Sequence, residues 1–124
     1  MSETNISIGE SELEIMKVLW SFEEAVDTRR ISEAVQERKW KRTTISTFLT
    51  RLVQKGAVSC EKRGNLYYYS PLISEKEYKK SQTKSLIKNL YNGSIRDFAV
   101  SLFEEEQLTE EDIRELKAMF VGRG

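Results

Sequence analysis

Residues 42–56 read RTTISTFLTRLVQKG. Within this stretch Ile45, Phe48, Leu49, Leu52 and Val53 fall at i, i+3, i+4, i+7 and i+8, the spacing that lines one face of an α-helix. At about 100° per residue the opposite face carries Thr43, Thr47, Thr50 and Gln54, with Thr44, Ser46 and Arg51 at its flanks. Gly56 ends the helix, since glycine takes the left-handed closing conformation without strain. An amphipathic helix with a small, hydroxylated and non-acidic outer face is built to approach another surface closely.

Upstream, Leu13, Met16, Leu19 and Trp20 recur at helical spacing, widened by Ile15 and Val18, and predict a first helix over 10–22. Gly9 is its cap and Glu12 the capping-box partner. Asp27 caps a second helix over 28–38 whose inner face is Ile31, Ala34 and Val35. Downstream, residues 57–61 and 66–70 read as two strands. Lys62-Arg63-Gly64-Asn65 supplies the turn between them, and Pro71 closes the second. Trp20 and Trp40 suit core or helix-junction packing. Tyr67, Tyr68 and Tyr69 alternate across a strand, so at least one face packs inward, and Cys60 fits as a small packed side chain.

After Ser74 the helical pattern returns over 75–91, 94–105 and 109–121. Asn92-Gly93 breaks the first two apart, and Thr109 with Asp112 starts the last. The order ααα, hairpin, ααα defines a mainly α chain with a small β-hairpin. It predicts a winged helix-turn-helix DNA-binding domain over 1–73 and a three-helix dimerisation domain over 74–124.

Charge and composition narrow the function. The chain of 124 residues has a formal net charge of zero. Residues 36–63 nevertheless hold eight basic side chains and two acidic ones, a local +6, whereas residues 104–115 hold seven acids and one arginine, a local −6. A basic middle suits a polyanion, and the acidic end should face away from it. With no histidine and one cysteine, the chain cannot assemble a zinc site or a Cys-His nucleophile from its own residues. An enzyme is therefore not expected, nor a metal, nor a cofactor. The opening MSETNISIGESE lacks the basic start and apolar run of a secretion signal, and no apolar stretch is long enough to span a bilayer. A cytoplasmic protein without membrane insertion is expected, and a lone thiol fits a reducing compartment.

In a winged helix the third helix can enter the major groove of double-stranded DNA. Arg42, Thr43, Ser46 and Thr47 are then the candidates for base edges. Lys41, Thr44, Thr50 and Arg51 would meet phosphates. The hairpin tip, with Lys62, Arg63 and Asn65, would touch an adjacent groove or backbone. The tail of about fifty residues cannot bury its apolar stripes alone. Leu86, Leu90, Ile95, Phe98, Leu102, Phe103, Leu116 and Phe120 are the candidate interface with a second copy. A homodimer would pair two reading helices across a two-fold axis, matching a palindromic operator. The alternative is a winged-helix module that binds protein and carries its basic face incidentally. Steep loss of DNA affinity with salt separates the two.

The runs IMKVLW, TTISTFLTRLVQKG and YYYSPL resemble the penicillinase and methicillin-resistance repressor family over nearly the whole chain. The pattern TxxTxLxRLxxKG is carried here by Thr44, Thr47, Leu49, Arg51, Leu52, Lys55 and Gly56. The resemblance implies a homodimeric repressor of inverted-repeat operators. It also implies relief of repression when a membrane sensor and protease system answers a β-lactam and the tail is cut. The family's cleaved dipeptide, Asn-Phe, falls at Ser101-Leu102, where this chain departs from it. Related copper-responsive repressors end in a cysteine-rich motif, which the sequence AMFVGRG lacks.

Overall fold

The computed structural model describes residues 6–105 and 109–121, with side chains described for residues 6–102, 109–115 and 118. The chain divides into two compact units that meet at Ser81 and Gln82.

In the first unit, α1 (Glu10–Ser21) starts as its sequence demands. The Gly9 N–H donates to Glu12 Oε1 at 3.0 Å, half of a capping box. Ile15, Met16 and Leu19 are fully buried. The second helix, α2 (Thr28–Ala34), is capped by Asp27, whose Oδ1 accepts from the Arg30 N–H at 2.9 Å. It is shorter than the periodicity suggests. The backbone tightens into a 3-10 helix at Gln36–Arg38, and Lys39 closes it with φ +58. Ile31 and Val35 are buried, but Ala34 is exposed. Ala34 lies roughly 80° round the helix from the line between those two side chains, at the edge of the inner face.

The third helix, α3 (Arg42–Gln54), buries Ile45, Leu49 and Leu52. Phe48 is half-buried and meets Trp40 edge-on, ring centres 5.1 Å apart. Val53, expected inside, is 37% exposed. Two turns separate it from Ser46, so it shares that residue's flank rather than the core face. Gly56 takes φ +83, and the closing turn satisfies two orphan carbonyls. Its N–H donates to Val53 O at 3.0 Å, and the Ala57 N–H donates to Leu52 O at 2.9 Å.

Strands β2 (Val58–Arg63) and β3 (Leu66–Pro71) pair antiparallel from Val58↔Pro71 to Arg63↔Leu66. Only Gly64 and Asn65 are left to turn, with Gly64 at φ +65. Lys62 and Arg63 thus belong to the strand and not to the turn. A short β1 (Val26–Asp27) pairs with β3, giving sheet order β1-β3-β2. Three helices packed against this small sheet make a winged helix. Burial falls off along β2 from Val58 outward, because the hairpin leaves the core. Cys60 is therefore exposed rather than packed. Tyr69, opposite it, packs against the core. Burial pushes its phenol up to about 12, and the neighbouring Cys60 thiol adds to the rise. Trp20 is a packing residue that donates from Nε1 to Ile73 O at 2.9 Å.

Ser74 and Glu77 cap α4 (Glu75–Leu90) reciprocally, at 3.2 and 3.0 Å. Its early residue Tyr78 is buried in the first unit, 5.9 Å from the Trp20 ring. The second unit contains the rest of α4, then α5 (Ile95–Glu105) and α6 (Glu110–Val121). Asn92 and Gly93 turn the chain between α4 and α5 with φ of +51 and +84. Thr109 and Asp112 exchange two hydrogen bonds at the start of α6, at 3.2 and 3.0 Å.

Candidate nucleic-acid interface

Burying Ile45, Leu49 and Leu52 turns the other side of α3 outward. Arg42, Thr43, Ser46, Thr47, Thr50 and Arg51 are all exposed, and Thr44 is half-buried at the rim. Thr47 donates its hydroxyl hydrogen to Thr43 O at 2.9 Å. What it offers a ligand is therefore a methyl group and an acceptor oxygen, not a donor.

The start of α3 has a feature that residue spacing did not reveal. Its N-cap, Lys41, makes no side-chain capping bond, and the first turn holds no acid. The first backbone N–H groups stay open, and the positive end of the helix dipole is uncompensated. Lys41 and Arg42 stand beside that end. This is a favourable place for a phosphate. The signal in the sequence is the absence of Ser, Thr, Asp or Asn at position 41.

The basic middle is less free than its charge count implies. Arg38 pairs with Glu14 at 3.1 Å, Lys55 with Glu12, and Arg63 with Glu61 at 2.9 Å. Among the described residues, Lys39, Lys41, Arg42, Arg51 and Lys62 have no such partner. In the wing, Lys62 lies over the Tyr67 ring at 5.8 Å and Arg63 over Tyr68 at 4.7 Å. These cation–π contacts narrow the directions in which both long side chains can point. Asn65 is exposed in the turn.

In the second unit, Leu86, Leu90 and Ile95 are exposed, Leu90 at 72%. Phe98 is half-buried against Tyr91, edge-on at 5.6 Å. Ser101 and Leu102 are half-buried inside α5, where Ser101 Oγ donates to Phe98 O at 2.6 Å. The side chains of Phe103, Leu116 and Phe120 lie outside the described residues. No helix among the described residues is long and apolar enough to cross a membrane.

Comparison with known proteins agrees with this geometry. A family model described as "Penicillinase repressor" matches residues 8–121. The penicillinase repressor of Bacillus licheniformis is 35% identical over 88% of this chain and 85% of its own. The methicillin resistance regulatory protein MecI of Mammaliicoccus sciuri is 29% identical over 94% of this chain and 95% of its own. Among solved structures, the DNA-binding domain of the repressor BlaI superposes with a TM-score of 0.54 at 35% identity, covering 63% of this chain and 94% of that one. The monomeric form of Bacillus licheniformis BlaI, solved in complex with the blaP half-operator, superposes with a TM-score of 0.50 at 36% identity, covering 58% and 88%. The chain belongs to the penicillinase repressor family, whose members are transcriptional repressors and not enzymes.

Proposed function

We propose that the protein is a homodimeric repressor that lays α3 in the major groove of an inverted-repeat operator and touches the flanking backbone with its wing. The observation that carries this is the outer surface of α3. It is small, hydroxylated and free of acids, and it is bordered by the unpaired cations Lys41, Arg42 and Arg51. Arg42, Thr43, Ser46 and Thr47 take the base edges. Arg42 suits the paired acceptors of guanine, and the Thr47 methyl suits that of thymine. Lys41, Thr44, Thr50 and Arg51 hold phosphates, with the open N-terminus of α3 adding backbone donors. Lys62, Arg63 and Asn65 form the wing contact. The BlaI complex with a half-operator supports this docking by analogy.

Dimerisation through residues 74–124 is supported by the apolar side chains that the second unit leaves exposed, Leu86, Leu90 and Ile95. The regulated operon is one for β-lactam resistance or a related stress, as the names of the relatives suggest. Release by a regulatory protease at Ser101-Leu102 completes the cycle. The bond lies within α5, so the helix must unwind there before it can be cut. The protein acts in the cytoplasm, where its operator is. Selection from random DNA followed by a salt series tests the proposal. A two-fold symmetric motif with a steep salt slope is the expected result. Weak binding with no enriched motif would overturn it.

A further inference from the structure

The first unit buries one carboxylate that neither the DNA surface nor α2 uses. Glu12 is 5% exposed in the first turn of α1. Its Oε1 accepts from the Gly9 N–H at 3.0 Å and from Lys55 Nζ at 2.5 Å. Lys55 is the C-cap of α3 and immediately precedes Gly56, from which the chain enters β2. Two elements 43 residues apart are thus tied by a single directional contact.

Geometry gives that contact a task. The apolar face of α3 seats the helix on the core, but apolar burial is non-directional and tolerates small slides and rotations. Base readout does not tolerate them, since a binding constellation must be held to within about 0.5 Å. An ion pair at the C-cap of α3 fixes where the helix ends against α1. Because the wing's β2 begins three residues later, at Val58, the same contact fixes where the wing departs. A buried charge left without its partner is strongly unfavourable, so the pair resists separation.

We infer that Glu12 and Lys55 are positioning residues for DNA recognition: their ion pair sets the register of α3 and the wing on the operator, and Lys55 is thereby withheld from phosphate. This rests on the docking proposed above. Arg51, one turn before Lys55, is also close enough for its charge to act on Glu12, and Tyr78 of α4 feels the Glu12 charge. Neither makes the tie itself.

A double-mutant cycle on the full-length protein tests the inference, using Glu12→Gln, Lys55→Met and the double variant, with Lys55→Arg as the charge-keeping control. Affinity is measured for an operator duplex and a scrambled duplex across a salt series, and thermal unfolding is followed for each variant. Each single change should lower the operator-to-scrambled ratio, on the order of tenfold for Lys55→Met and in the same direction for Glu12→Gln. The double variant should lose no more than Lys55→Met alone, Lys55→Arg should keep the ratio, and the salt slope on scrambled DNA should not change. Three results would overturn the inference. One is an unchanged ratio in Glu12→Gln, which decides the matter even if Lys55→Met fails to fold. Another is additive losses in the cycle. The third is a salt slope smaller by about one in Lys55→Met on both duplexes, which would make Lys55 a phosphate contact. A wild-type protein with no preference for the operator would instead sink the docking proposal.

Discussion

At the scale of single residues, charge means different things at neighbouring positions. Arg51 is exposed and unpaired, whereas Lys55, one turn on, is held by Glu12. Arg51→Ala should weaken binding to every duplex alike and reduce the salt slope by about one, as measured by gel shift at several salt concentrations. A loss confined to one base pair would make Arg51 a base reader instead. Glu12 gives a pH signature. Burial pushes its carboxyl up, but the Lys55 ammonium, the Gly9 N–H and the charge of Arg51 outweigh that and hold it below its ordinary value of 4.5. A carboxylate whose folded value is lowered stabilises the protein fully above its unfolded value and loses that contribution as pH falls through the folded one. The stability gap between wild type and Glu12→Gln should therefore be constant above about pH 4.5 and close below it. Urea unfolding at a series of acidic pH values reads this directly, and a gap that widened with acid would reverse the assignment. Glu12 as a cap was legible in the sequence, because capping is local. Its partner was not, since nothing in the residues near Glu12 points 43 positions away.

Elements show the same division between local and distant causes. The starts of α1, α2 and α6 were legible from Gly9, Asp27 and Thr109, whose side chains or backbones act within three residues. The core face of α3 was legible in Ile45, Leu49 and Leu52. Val53 was misplaced because a stripe five residues wide exceeds what one packing face can cover. The early end of α2 at Ala34 and the strand Val26–Asp27 were not legible. The first depends on the turn that carries the chain to α3, and the second is too short for any alternation to register. Gly56 is where an element boundary can be tested. At φ +83 its missing side chain faces open space, with nothing within 4 Å. Gly56→Ala should cost about 1 to 2 kcal/mol through backbone strain alone. Denaturant midpoints of the two proteins give that number. A change near zero would mean that the turn rearranges.

For the whole molecule, the contrast between the two units is the informative feature. The first closes a core of fully buried side chains, whereas the second leaves Leu86, Leu90 and Ile95 in water. Replacing Leu90 and Ile95 together by aspartate should give a monomer by sedimentation, with the winged helix intact by circular dichroism. If the proposed dimer ties two heads together, untying them should lower affinity for a two-fold operator by about 10² to 10⁴ while leaving half-site affinity unchanged. A variant still dimeric at micromolar concentration would place the interface elsewhere. The family's fold was legible from element order, but how far Leu86, Leu90 and Ile95 stay exposed emerged only once burial was known. For the proposed cleavage, the placement of Ser101 and Leu102 within the hydrogen-bonded turns of α5 has a consequence in time. When a protease is abundant enough to cut faster than the helix re-forms, the rate of loss equals the rate at which that turn unwinds. Adding more protease then changes nothing. Under that proposal the lifetime of each repressor molecule would be a property of its own helix, and substitutions that firm or loosen α5 would lengthen or shorten the cell's delay before transcription begins.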